Sequence, residues 1–168
     1  MKEARARATD RRLRVKWARR RLYVGRTARA GARTSLTLSD WRLLIVVAVA
    51  QVVAAGALRV MSLRAVHRRL AQFRPLVRLA VRASDERAAW ATHATGRRLG
   101  RCSTCLTRAL AAALVIEHAT GLTFNIGVRR KTAGTLDAHA WLARGDRVLI
   151  GATPDDYAPL VEWAGRST

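Results

Sequence analysis

The spacing of apolar residues changes once along this 168-residue chain, near residue 121, and the change decides which class of fold is open to it. Before that point apolar residues recur every three or four positions, as on one side of a helix. Leu63, Val66, Leu70 and Phe73 do so with Arg between them, and Leu106, Leu110, Ala113 and Leu114 do so later. After it, Leu122, Phe124, Ile126 and Val128 alternate with Thr123, Asn125 and Gly127, the pattern of a half-buried strand. Leu136–Ala143 and Arg147–Ala152 read as two further strands joined at Gly145-Asp146, a tight turn. Helices followed by three short strands specify an α+β fold, with an antiparallel sheet behind a helix.

The helices have readable ends. Thr37 or Ser39 caps a helix that begins near Asp40, where a carboxylate suits the positive end of the dipole. From Leu43 to Leu58 no residue is charged. Sixteen residues fall short of the roughly 20 a spanning helix needs, and Gln51 and Gly56 interrupt the apolar run. A buried core helix is expected, with a membrane span or an interfacial helix as alternatives. A second helix runs from Ser62 to Phe73, Pro75 interrupts or restarts it, and Leu76–Val81 continues the pattern. Ser84-Asp85-Glu86 opens a third helix through Trp90 to about Leu99, which Gly100 ends. A fourth is expected from about Cys105 to His118, with Gly121 as its stop.

Charge divides the chain unevenly. Residues 1–100 hold 24 Lys/Arg against 5 Asp/Glu, whereas residues 101–168 hold 8 against 6. Three zones result: a basic arm at 1–35, expected to be disordered, a helical region at 36–100, and a catalytic core at 101–168. The arm has 13 Lys/Arg and no wide apolar stripe, so it cannot bury much. Such a segment binds polyanions by counterion release, or acts as a tail or a transit peptide. Half of the residues are hydrophobic, which excludes wholesale disorder, and two Cys and three Pro exclude a disulfide-stapled miniprotein and a collagen-like chain.

Cys105 falls in the first turn of its helix, where unpaired N–H groups and the dipole favour a thiolate, and Arg101 and Arg108 add positive potential. A nucleophilic Cys needs an imidazole base that is itself oriented by an acceptor. His139, mid-strand between Ala138 and Ala140, is the best candidate. Cys102-Ser103-Thr104-Cys105 also has the spacing of a redox pair or half a zinc site. Zinc needs two more ligands, and His67, His93 and His118 do not stand at ligand spacing, so no metal and no cofactor are expected. A thioredoxin-type pair would need a strand before it, where this chain has a helix and Gly100.

The ordered series Cys105-Leu106-Thr107-Arg108-Ala109-Leu110, Gly121-Leu122, Phe124-Asn125-Ile126-Gly127-Val128 and Ala138-His139-Ala140-Trp141 resembles the lasso-peptide biosynthesis B2 proteins. These are leader peptidases with a papain-related, transglutaminase-like core. The match runs over roughly residues 100–163, and the helical zone before it is similar in a less specific way. The resemblance implies a papain/transglutaminase-like core and a bacterial, cytoplasmic cysteine peptidase that removes the leader from a ribosomally made precursor. Cys105 would be its nucleophile and His139 its base. The family's acid would fall on Gly151, which has no side chain to offer. Asp155 is the nearest replacement, Asp156 the next, and Asp137 and Asp146 are weaker candidates, with a backbone carbonyl, another side chain or a water as the remaining alternatives. Trp141 shares a strand face with His139 and either walls the site or simply packs the core. Cys102 has no family counterpart.

The partners implied are the precursor peptide, a separate B1 leader-binding protein and a lasso cyclase, with neither nucleic acid nor membrane expected. Two other readings use the same residues differently. One is a non-enzymatic basic adaptor that binds nucleic acid or anionic membrane through residues 1–100. The other is a transglutaminase-like acyl transferase with the same Cys–His pair and a different acceptor.

Overall fold

The computed structural model describes residues 36–130, 134–153 and 157–164. Among these residues four helices precede a four-stranded antiparallel sheet: α1 (Leu38–Val60), α2 (Leu63–Ala80), α3 (Asp85–Leu99), a short 3-10 turn (Gly100–Cys102), α4 (Cys105–Val115), β1 (Leu122–Arg130), β2 (Leu136–Arg144), β3 (Arg147–Ile150) and β4 (Ala158–Ala164). The arm at 1–35 lies outside the described residues.

Each helix starts where a side chain satisfies its free N–H groups. Thr37 caps α1 in a reciprocal box with Asp40, and Asp40 is itself paired with Arg87 of α3. Ser62 and Ser84 cap α2 and α3. Pro75 does not interrupt α2, which is continuous to Ala80. Ala71, whose carbonyl loses its partner to the missing proline N–H, is exposed, as is Pro75, so water can serve instead. The fourth helix stops at Val115 rather than His118. Ile116 turns extended and forms a parallel bridge with Ala83, through Ala83 N–H to the Val115 carbonyl and Glu117 N–H to the Ala83 carbonyl.

The sheet has one strand more than the sequence pattern predicts. Its order is β3-β2-β1-β4, and β4 pairs with β1. Pro159 and Glu162 hide the alternation of this segment. As an edge strand it tolerates a proline, which pairs with Gly127 where the β1–β4 register shifts. Ala140, Leu142, Leu122, Phe124 and Ile150 point from the sheet into one core with Leu110, Ala111, Leu114 and Val115 of α4. α4 is the central element and packs against all three other helices and β2. Leu43, Val47, Ala50 and Ala54 close the core from α1, while the opposite side of α1 stays exposed. The expectation of a core helix therefore holds for one of its faces.

A bidentate pair between Arg144 and Asp85 fixes the end of β2 to the start of α3, with Nε–Oδ2 at 2.7 Å and Nη2–Oδ1 at 2.9 Å. On the other side, Trp163 of β4 stacks on Phe124 at 5.6 Å and lies 4.6 Å from the ring of His67 of α2.

Candidate active site

Gly100, with φ +50°, ends α3 and lets the chain reverse into the 3-10 turn. Ser103 and Thr104 follow, and Thr104 and Thr107 cap α4 reciprocally: Thr107 N–H donates to Thr104 Oγ1 at 3.2 Å and Thr104 N–H to Thr107 Oγ1 at 2.9 Å. Cys105 is thus the first residue of a capped helix. Thr107 Oγ1 also donates to the Cys102 carbonyl at 2.9 Å, so the caps hold the turn that carries the second cysteine.

This segment is held from behind by polar groups inside the core. Gln51, fully buried on α1, donates from Nε2 to Thr95 Oγ1 at 2.7 Å and accepts from Ser103 Oγ at 2.6 Å. Ser103 Oγ accepts in turn from Arg108 Nε at 2.7 Å. A Cβ on Gly96 would stand 2.7 Å from Ser103 Oγ and 2.8 Å from Arg108 Nε, so the bare helix backbone there makes the room. The uncharged run of α1 gave the signal for Gln51, as its one amide. Arg108, expected to add positive potential near the thiol, also props Ser103.

His139 comes from β2, opposite Gly127 of β1. Its Nε2–H donates to the Gly151 carbonyl at 2.7 Å, which leaves Nδ1 as the unprotonated nitrogen of the neutral ring. Hydrogen bonding to His139 is the main cause that lowers the Cys105 thiol below its ordinary value; burial opposes it, and backbone contacts and the imidazole charge assist. The same bond to Cys105 is the first cause that raises His139, against burial and with help from the Gly151 carbonyl, the thiolate charge and Asp137. Both shifts favour a thiolate–imidazolium pair.

Gly151, where the resemblance calls for an acid, thus supplies its backbone oxygen. Its φ is +77°, and a Cβ would stand 2.6 Å from the Ala140 carbonyl and 3.2 Å from His139 Nε2. Asp155 and Asp156 lie outside the described residues. Asp137 accepts from Tyr157 Oη at 3.0 Å and pairs with Arg129 at 3.3 Å, while Asp146 sits exposed at the β2–β3 turn.

Aromatic rings flank the imidazole, with Tyr157 at 5.1 Å and Trp141 stacked at 6.3 Å between centroids. Trp141 is buried with Ala143 and Val148, so it both packs and walls the site. Gly127 is what admits the rings: a Cβ there would meet Tyr157 Cβ at 2.8 Å and the Trp141 ring at 3.0 Å. Tyr157 had no sequence signal, because it precedes a strand that does not alternate.

Cys102 is half-buried and, like Cys105, a free thiol. His67 and His93 sit on α2 and α3, and His118 lies beyond the end of α4, where its carbonyl accepts from Arg144 at 2.8 Å. Among the described residues no three His, Cys, Asp or Glu side chains gather into a metal-binding group. Chemically, the arrangement sets a thiol on a helix terminus, an imidazole on a strand and a carbonyl acceptor behind the imidazole, groups able to support nucleophilic attack by sulfur. A family model described as the transglutaminase-like superfamily matches residues 44–162. No curated protein and no solved structure matches the chain.

Proposed function

The chain belongs to the transglutaminase-like superfamily, and from that premise we propose that it is a cysteine peptidase of the B2 type, removing the leader from a ribosomally made lasso precursor. The observation that carries this reading is the His139 ring fixed through Nε2 on the Gly151 carbonyl at 2.7 Å, with Cys105 on the capped first turn of α4 and its thiol lowered by that imidazole. The ordered series from Cys105 through Trp141 supports the narrower assignment.

In the proposed reaction the Cys105 thiolate attacks the carbonyl carbon of the scissile amide, and the π electrons move to oxygen beside the N-terminus of α4. Collapse of the tetrahedral adduct breaks the C–N bond, and the His139 imidazolium gives its proton to the departing amine, the new N-terminus of the core peptide. His139 then takes a proton from water, whose oxygen attacks the thioester and releases the leader as a carboxylic acid. The Gly151 carbonyl keeps the ring aligned through both proton transfers. A separate B1-type protein would present the leader, and a cyclase would use the freed amine. Cytoplasmic location is consistent with two free thiols, one of which must stay reduced to act.

Incubation of the precursor and a B1 protein with wild type, Cys105→Ala and His139→Ala, followed by mass spectrometry, tests the reading. Wild type releases leader and core. Cys105→Ala releases neither, and His139→Ala is slower by on the order of 10²-fold or more. Cleavage by Cys105→Ala at the wild-type rate overturns it. A leader joined to an added amine, in place of a free carboxylate, assigns the same pair to acyl transfer.

A further inference from the structure

The outer face of α1 is as apolar as its buried one. Ile45, Val49, Val52 and Val53 run along it, each between 46% and 58% exposed. Trp41 and Arg42 stand at one end and Arg59 at the other, about 27 Å apart at the helical rise. Val53 and exposed Phe73 line one shallow apolar groove with Ala57, Met61 and Leu70, so the face continues onto α2, where Leu76 and Leu79 are exposed beyond it. Scattered exposed apolar side chains are ordinary, but a contiguous apolar face marks a contact surface.

Charge narrows the choice of partner. Between Asp40 and Asp85 the chain has eight Arg and no Asp or Glu. Arg42, Arg59, Arg64, Arg68 and Arg69 are exposed and form no ion pair among the described residues. A nucleic acid would satisfy these cations and leave the valines in water. A neutral apolar partner would do the reverse. A bilayer with anionic headgroups satisfies both, acyl chains against the stripe and phosphates against the guanidinium groups that rim it.

We propose that the outer face of α1 and α2 docks on an anionic lipid bilayer, with α1 lying in the headgroup plane. α1 does not cross the bilayer, because its other face holds Leu43, Val47 and Gln51 in the core. By length and composition the 23 residues of Leu38–Val60 would suffice to span, so it is the burial of this inner face that keeps α1 on the surface. The inference is independent of the peptidase reading.

Co-sedimentation of the full chain with vesicles tests it, using phosphatidylcholine alone and phosphatidylcholine mixed with phosphatidylglycerol. Wild type should pellet with the mixed vesicles only. The variant Val49→Ser/Val53→Ser/Phe73→Ser keeps every Arg and should partition more weakly, on the order of tenfold or more. Far-UV circular dichroism and the alkylation rate of Cys105 check its fold, and the single variants Val49→Ser and Phe73→Ser replace it if it does not fold. Equal partitioning of variant and wild type overturns the proposal, since charge alone, including that of residues 1–35, would then suffice. Failure of wild type to bind mixed vesicles overturns it too. So does self-association of wild type, without vesicle binding, that the variant abolishes; the face would then belong to a second copy.

Discussion

Replacing Gly151 by Ala separates the backbone acceptor from every side chain near His139. The substitution costs on two counts. A φ of +77° is disfavoured for any residue with a Cβ, by roughly 1–2 kcal/mol. The new methyl would also stand 2.6 Å from the Ala140 carbonyl and 3.1 Å from Trp141 Cβ, both fixed in a sheet strand, so the Gly151 peptide must move. That movement withdraws its oxygen from Nε2, and a hydrogen bond to a charged group contributes about 1.5–3 kcal/mol. Overall destabilisation of about 3 kcal/mol is expected in urea titrations. Gly145→Ala is the control: its φ is +55° with no atom within 4 Å of a new Cβ, so only the backbone cost of about 1 kcal/mol remains. If the acceptor orients the imidazole, alkylation of Cys105 in folded Gly151→Ala should slow on the order of 10–100-fold near neutral pH. Its thiol titration should also move up toward that of an ordinary Cys. Gly151→Ala as stable as Gly145→Ala, with the wild-type alkylation profile, would refute the assignment.

Three further outcomes follow from the site. Leader cleavage should be bell-shaped in pH. The acid limb lies below the ordinary thiol range, because Cys105 is lowered by its bond to His139, and the alkaline limb lies above the ordinary imidazole range, because His139 is raised by the same bond. The sign is such that the pair loses the thiolate as pH falls and the imidazolium as pH rises, and limbs at ordinary values would contradict it. Gln51→Leu should destabilise by about 2 kcal/mol, since it leaves the buried Ser103 hydroxyl without its acceptor, and should slow Cys105 alkylation. Cys102→Ala should retain most of the activity and Cys105 should alkylate first, because only Cys105 has both the helix terminus and the imidazole; peptide mapping after brief iodoacetamide treatment reads this out.

The sequence by itself carried what depends on neighbours along the chain. Helical and alternating periods reflect which side of an element meets the core, so the α+β class, the capped start of α4 at Cys105 and the first three strands were legible. Local rules failed where a distant segment intervened. Ile116 leaves the helix for a bridge to Ala83, α2 runs through Pro75 because Ala71 and Pro75 face solvent, and β4 exists because β1 offers an edge. Cys105 and His139 could be named as partners from their chemistry, but only the sheet decides that Gly127 lies opposite His139 and admits Trp141 and Tyr157. Asp155 and Asp156 lie outside the described residues, and among those described the Nε2 partner is the Gly151 carbonyl, a group that every residue has. Its direction is set by a positive φ and by strand pairing, quantities that exist only once the chain has closed on itself.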